Sequence, residues 1–287
     1  MSEQVIGIIG GSGLYAIEGI QEVKDVSVDT PFGKPSDSFK VGVFEGRKVA
    51  FLPRHGKGHT ILPSELNFRA NIYGMKKLGA GHIIAVSAVG SMKEEIRPLD
   101  IVIPDQFFDR THGRISTFFG EGIVGHVSFA DPVCNVLAGT LFRAAQSLNV
   151  RVHKGGTYLC IEGPLFSARA ESNVYRQWGV SIIGMTNIQE AKLAREAEIC
   201  YSTLAMVTDY DCWYTGEEPV TLEMVIRNLN KNAETAKQIL TVAIPNIEQK
   251  RNCACATAAR DAIVTRKDLV PEGTRKKLDC IFGKYLK

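Results

Sequence analysis

The 287 residues carry a formal net charge of +3, with 45% hydrophobic and 23% charged side chains, the ordinary proportions of a globular chain. A charge this small, with basic and acidic residues mixed until the C-terminal tail, argues against a nucleic-acid partner, and no apolar run reaches membrane-spanning length. Met1-Ser2-Glu3-Gln4 lacks the basic start of a secretory peptide, and the seven cysteines are an odd number without a disulfide-framework spacing, so the expected location is cytoplasmic.

Val5-Ile6-Gly7-Ile8-Ile9 reads as a buried strand running into Gly10-Gly11-Ser12-Gly13. Consecutive glycines expose backbone amides and Ser12 adds a hydroxyl, which together suit a phosphate. Gly11-x-Gly13-x-x-Ala16 also fits a dinucleotide fingerprint, but that motif needs a sustained helix, and Gly19 interrupts it early. A plain glycine turn is the remaining alternative. Lys48–Leu52 is a second strand, closing on Pro53-Arg54-His55-Gly56-Lys57-Gly58-His59. The planar fork of Arg54 matches an oxyanion and His55 adds a donor, although a basic loop is often simply solvated. A helix follows from Pro63 to Leu78 with Ser64 as its cap.

His82–Ser91 reads as a strand whose end offers the Ser87 hydroxyl and the Ala88 backbone as further anion contacts, or else packs tightly in the core. Asp100–Asp105 is another strand. The stretch from Thr117 to Asp131 has no clear period and forms a long loop around His126, the kind of segment that serves as a lid or subunit contact. Helical spacing returns over Asn135–Leu148, then a strand over Gly156–Ile161 ends at Glu162-Gly163-Pro164-Leu165-Phe166-Ser167. Phe166 is placed either to lie against a planar ring or to pack in the core. Ser181–Asn187 is a short strand ending in Met185-Thr186, and a helix starts near Glu190.

Tyr201–Val207 is a buried strand that runs into Thr208-Asp209-Tyr210-Asp211-Cys212-Trp213. In an extended chain Asp209 and Asp211 point the same way, and ligands of α/β sheets bind beyond strand C-termini. Burial and mutual repulsion raise the pKa of such carboxylates, so that one holds a proton for a leaving group near neutrality. The competing reading is a solvated turn; a calcium loop is disfavoured by Cys212 and Trp213. Thr221–Val242 is helical, its apolar positions Leu222, Val225, Ile226, Leu229 and Ile239 reading as core, and its first turn can border the pocket. Beyond Pro245 the chain becomes a charged tail with short helical patterns and Cys253-Ala254-Cys255, a C-x-C without the partners of a zinc site.

Strands alternating with helices predict an α/β fold: a single domain built on a twisted mixed β-sheet with helices on both faces, spanning residues 1–245 and extended by a helical segment, 246–287. Taken together, Gly7–Leu14, Asp29–Ser36, Arg54-His55-Gly56, Arg110-Thr111, Glu162-Gly163-Pro164 with Phe166-Ser167, Arg169–Ser172, Met185-Thr186 and Thr208–Trp213 resemble the trimeric nucleoside phosphorylases. The resemblance is nearest to the branch that cleaves methylthioadenosine. It implies that Ser12, Arg54, His55, Ser87, Ala88 and Thr186 hold phosphate. Met185 and Phe166 would lie against the nucleoside, and Asp209, Tyr210 and Asp211 would face the purine, with Asp209 catalytic. Ser167 and Leu222 would set substrate choice, and His126 would reach a neighbouring subunit's site. It further implies a homotrimer or dimer of trimers, small-molecule substrates (methylthioadenosine and phosphate), and no cofactor or metal. The rivals are a purine nucleoside phosphorylase of broader specificity and a dinucleotide-binding oxidoreductase. Leu165 stands where relatives often carry Arg, and Asn187 with Gln189 departs from the usual run after Met-Thr.

Overall fold

The structure is a computed structural model that describes residues 4–11, 14, 19–214 and 222–287, with the backbone alone at 222, 224 and 225. The first strand, β1 (Val5–Gly10), is rich in β-branched residues, which favour extended backbone, and its side chains alternate between two buried faces. Ile6 and Ile8 join one apolar cluster with Leu137, Leu141 and Leu240, whereas Val5 and Ile9 join another with Ile72, Leu193 and Phe282. A Cβ on Gly7 would stand 2.9 Å from Met75 Sδ, so the bare backbone there lets a helix sit directly on the strand.

Strands β2 (Gln21–Val26), β3 (Phe39–Phe44) and β4 (Arg47–Pro53) form an antiparallel ribbon that joins β1 through a parallel β4 pairing. Helix α1 (Phe68–Lys77) leads into β5 (Ala80–Ser91), β6 (Ile101–Ile103) and β7 (Gln106–Arg110). Next come α2 (Asn135–Ser147), β8 (Val152–Lys154), β9 (Thr157–Ile161) and α3 (Arg169–Gln177). The chain continues through β10 (Ile182–Gly184), α4 (Asn187–Glu196), β11 (Cys200–Asp209), α5 (Leu222–Ala243) and α6 (Glu272–Leu286).

The described strands make one 11-stranded sheet in the order β2-β3-β4-β1-β5-β10-β9-β7, with β11 lying between β5 and β6, and β8 on β6. Helices α1, α4 and α6 contribute to the apolar cluster on one face, α2 and α5 to that on the other. The expected mixed α/β sheet flanked by helices is the fold observed. One helix start differs from expectation. Ser64 lies in a 3₁₀ turn, and Asn67 caps α1 by accepting the Ala70 N–H at 3.1 Å. Helix α3 and strand β3 were not among the expected elements, although Phe39, Val41 and Val43 alternate as a strand requires.

What positions the site is a fork along β5, the longest strand. On one edge β1 accompanies β5 as far as the Ile9–Ala85 pair, and β10 joins that strand only at Gly90 and Ser91. On the other edge β11 runs beside β5 from His82 to Gly90. Residues 86–89 therefore have a strand on one side and, among the described residues, none on the other. The sheet opens there instead of closing.

Candidate active site

A cavity of about 350 Å³ fills the fork, lined by Val86 to Gly90 together with residues from the ends of β1, β4, β10 and β11. At one end stand Gly11, His55, Ser87, Ala88 and Thr186, and at the other Asp209 and Asp211. Thr186 is the N-cap of α4 and lines the cavity, and its side chain makes no capping bond, so the positive dipole end of that helix lies beside the cavity wall. The Ser87 hydroxyl has only long contacts, 3.4 Å to Tyr158 Oη and 3.4 Å to Ala88 O, so it can turn toward a ligand. Hydroxyls, amides and a helix N-terminus converging on one wall suit an anion.

Arg54 is part of that wall but not in the role its fork suggests. The side chain is buried at 2% exposure and forms a two-point ion pair with Glu190, Nε to Oε1 at 2.5 Å and Nη2 to Oε2 at 3.1 Å. Its remaining contacts run to Val86 O at 2.9 Å and Ile9 O at 3.3 Å. A guanidinium has five N–H groups, so four are engaged and one remains for a ligand. Arg54 thus ties together β1, β4, β5 and α4, and its bidentate face is turned to Glu190 and away from any bound anion. The Glu190 carboxylate also accepts from Tyr201 Oη at 3.0 Å.

His55 departs from expectation as well. Its Nδ1 lies 2.8 Å from Ile61 O, which assigns the proton to Nδ1 and leaves Nε2 as an acceptor. Burial, and then the Arg54 charge, push the imidazole down to about 4, so it is neutral at pH 7. In that state Nε2 is able to accept an O–H, and the ring adds no positive charge to the wall. The ring stacks on His59, centroid to centroid 4.3 Å, and His59 also lines the cavity.

At the opposite end the two carboxylates meet by a turn, not by strand alternation. Strand β11 ends at Asp209, its pairing with β5 slips between Val207 and Asp209, and Asp211 adopts a left-handed φ of 56°. The Asp211 N–H donates to Asp209 Oδ1 at 2.8 Å, an Asx turn that brings both side chains round to the pocket. Thr208 Oγ1 donates to Asp209 Oδ2 at 2.7 Å, and Ser172 Oγ to Asp211 Oδ2 at 2.5 Å. Burial raises both pKa values, and for Asp211 the Asp209 charge adds to the effect. Room for the pair depends on Gly90: a Cβ there would lie 3.1 Å from Asp209 Oδ1 and 3.4 Å from Asp211 Cβ.

Of the residues expected from sequence, the cavity lining brings together Arg54, His55, Ser87, Ala88, Phe166, Ser167, Met185, Thr186, Asp209 and Asp211. Ser167 presents a buried hydroxyl without a partner among the described residues, and Phe166 stands at the mouth, 74% exposed. Tyr210 is a correction. Its ring lies outside the lining, stacked on Tyr214 at 4.5 Å and edge-on to Trp213, because the turn that rotates Asp211 inward sends Tyr210 outward. His126 is exposed and does not line this chain's pocket; its N–H donates to Ala262 O at 2.8 Å. Ser12 and the Leu222 side chain lie outside the described residues.

The family profile described as the phosphorylase superfamily matches residues 5–245. The chain belongs to that superfamily. It is 58% identical over 285 residues to the S-methyl-5′-thioadenosine phosphorylase of Geobacter sulfurreducens, covering 99% of this chain and 100% of the relative. The Koribacter versatilis protein of the same name is 58% identical over 280 residues, 98% of this chain and 96% of its own. A crystal structure of methylthioadenosine phosphorylase from an antarctic soil metagenomic library superposes with a TM-score of 0.93 at 48% identity, covering 98% of this chain and 99% of that one. The Schistosoma mansoni methylthioadenosine phosphorylase in complex with adenine gives 0.84 at 37% identity, with 93% and 98% covered.

Within this phosphorylase fold several working residues escaped the sequence reading. Glu190 and Ser172 act through Arg54 and Asp211, and neither spacing nor residue type distinguishes them from ordinary helix positions. Arg114 was missed too. It pairs with Glu162 at 2.9 Å and donates to Met185 O at 2.6 Å, clamping the loop after β9 to the turn before α4. The departures at Asn187 and Gln189 point away from the cavity. Asn187 donates to Tyr201 Oη at 2.8 Å and Gln189 to Thr111 Oγ1 at 2.8 Å.

Proposed function

We propose that this chain is an S-methyl-5′-thioadenosine phosphorylase, a pentosyltransferase of purine and methionine salvage. The observation that carries the reading is a single pocket with an anion cradle at one end and two carboxylates of raised pKa at the other. Phosphate lies among Gly11, His55, Ser87, Ala88, Thr186 and the α4 N-terminus, with the last Arg54 N–H reaching it and the Ser12 hydroxyl assigned to it from the sequence. Its oxygen attacks C1′ as the C1′–N9 bond opens. Positive charge grows on the ribosyl ring, and the anion stabilises it. Asp209 delivers a proton to purine N7 and the electron pair of the broken bond leaves with the base. Asp211, held by Ser172, accepts from the 6-amino group. Met185 and Phe166 lie against the nucleoside, and Ser167 with Leu222 shapes substrate choice. Products are adenine and 5-methylthioribose 1-phosphate, and no metal or organic cofactor takes part in these steps.

This proposal includes the assembly. The pocket mouth exposes Leu165 at 83% and Phe166 at 74%, a pattern suited to cover by a second copy. His126 of each subunit then completes a neighbour's site in a trimer or a dimer of trimers. Among the described residues no helix is long and apolar enough to cross a membrane, and a cytoplasmic location is part of the same proposal. The test is release of free base from methylthioadenosine, adenosine and inosine in parallel, with and without phosphate. Phosphate-dependent adenine release, fastest from methylthioadenosine, is expected. Phosphate-independent cleavage, or a preference for inosine, overturns the assignment.

A further inference from the structure

We propose that Cys134, Cys200, Cys253 and Cys255 bind a structural zinc ion that fastens the C-terminal segment to the sheet. The four thiols come from distant parts of the chain. Cys134 immediately precedes α2, Cys200 opens β11, and Cys253 and Cys255 flank Ala254 at a 3₁₀ turn over Ala254–Thr257. Read in sequence, the C-x-C had no partners; the fold supplies two.

All four Sγ atoms lie within 4.8 Å of one another, three of the cysteines being buried and Cys253 partly so. Cys253 Sγ is 3.8 Å from Cys134 Sγ and 3.3 Å from Cys200 Sγ. A zinc–thiolate bond of about 2.3 Å places the sulfurs of a regular tetrahedron about 3.8 Å apart. The cluster has that dimension, whereas a disulfide draws its two sulfurs to about 2.05 Å. Four sulfurs with no oxygen ligand select zinc over calcium or magnesium. Each thiol gives up its proton on binding, so the loaded site carries two net negative charges. Arg251 and Lys250, with one carboxylate, Glu248, among them, line a small cavity that also touches Cys134, Cys200 and Cys253, so the lining leaves net positive charge beside the loaded site. Arg251 is anchored there by donating to the Glu198 carbonyl.

The mechanical consequence follows from what the tail touches. Past the cysteines it lies against the loop that carries His126: Gly125 bridges Ile263, the His126 N–H donates to Ala262 O, and Phe282 stacks on Phe119 at 4.7 Å. Zinc at the root of the tail fixes that whole segment against the sheet.

The test uses full-length protein, reduced, stripped with chelator and titrated with zinc alone, followed by gel filtration and elemental analysis. About one zinc per chain is expected for the wild type and for Cys280→Ser, which removes a thiol outside the cluster. At least about a tenfold lower zinc content is expected for Cys253→Ser/Cys255→Ser. Cobalt(II) in the wild type should give the charge-transfer and d–d bands of a tetrahedral tetrathiolate, a readout that stands even if the double variant misfolds. Reduced wild type that binds no more zinc than the double variant, or lacks the cobalt–thiolate band, overturns the site. So does intact-mass evidence that the four cysteines remain as two disulfides under the same reductant.

Discussion

Replacing Asp209 by Asn removes a titratable proton while keeping the shape of the side chain. The native carboxylate accepts two bonds, from Asp211 N–H at 2.8 Å and from Thr208 Oγ1 at 2.7 Å. The Asn carbonyl can keep the first. The second is recovered if Thr208 gives its proton to Val89 O, already 3.2 Å away, and accepts from the new amide instead. The fold should therefore lose no more than about 1 kcal/mol, one net hydrogen bond. Catalysis loses the acid. General acid help is typically worth about 10²–10⁴-fold, so kcat should fall at least about a hundredfold, or about 2.7 kcal/mol in activation free energy. The KM for phosphate should hold, since the anion sits at the other end of the pocket. The pH profile gives a second signature. Burial raises the Asp209 pKa, so the wild-type rate falls as pH climbs through that value and the acid ionises. The Asn variant lacks that limb. The assay is initial-rate adenine release across pH at saturating substrates, with melting curves as the control for folding. A kcat within about threefold of wild type, or an unchanged alkaline limb, refutes the assignment of Asp209 as the acid.

Asp211→Asn should mainly erode discrimination, lowering the methylthioadenosine to methylthioinosine ratio of kcat/KM by about one to two decades, the cost of one unmade buried hydrogen bond; an unchanged ratio places the 6-amino contact elsewhere. Because Arg54 and Glu190 satisfy each other in the core, Arg54→Ala and Glu190→Ala should each cost about 3–5 kcal/mol in urea unfolding, and the double variant far less than their sum. Strict additivity would show that the pair is not coupled. Burial raises Glu196 to about 7, and this carboxylate accepts from the Phe118 N–H at 2.6 Å. The folded state then binds more protons than the unfolded one between the ordinary carboxylate range and pH 7. Stability should fall by an amount on the order of 1–3 kcal/mol as pH rises through that window and level off above it. Glu196→Gln should flatten the slope, and a wild-type profile with no such slope argues against the shift. Light scattering alongside activity checks the shared site: the protein should be trimeric or hexameric, and an active monomer removes His126 from the mechanism.

Much of the framework was legible in the chain itself. Val5–Ile9, His82–Ser91 and Tyr201–Val207 are apolar and β-branched over strand length, and each carries or runs into residues with chemistry, so that Ser87, Asp209 and Asp211 could be nominated from local pattern alone. Such runs fix which segments are buried strands because burial on both faces leaves no other use for them. Direction and pairing of side chains were not legible. That Arg54 faces Glu190 and that His55 uses its Nδ1–H on Ile61 depends on contacts up to 136 residues apart in the chain. That Asp211 turns inward while Tyr210 turns outward depends on one left-handed residue, a conformation that Asp adopts more often than most residues but that the sequence does not assign to Asp211 over Asp209. The four cysteines make the same point over a longer reach, Cys134 and Cys253 being separated by 119 positions. Local sequence determines backbone preference and burial over a few residues. Which polar groups satisfy one another in the interior is decided only when the sheet closes, because a buried charge or donor takes whatever partner the packed chain delivers to it.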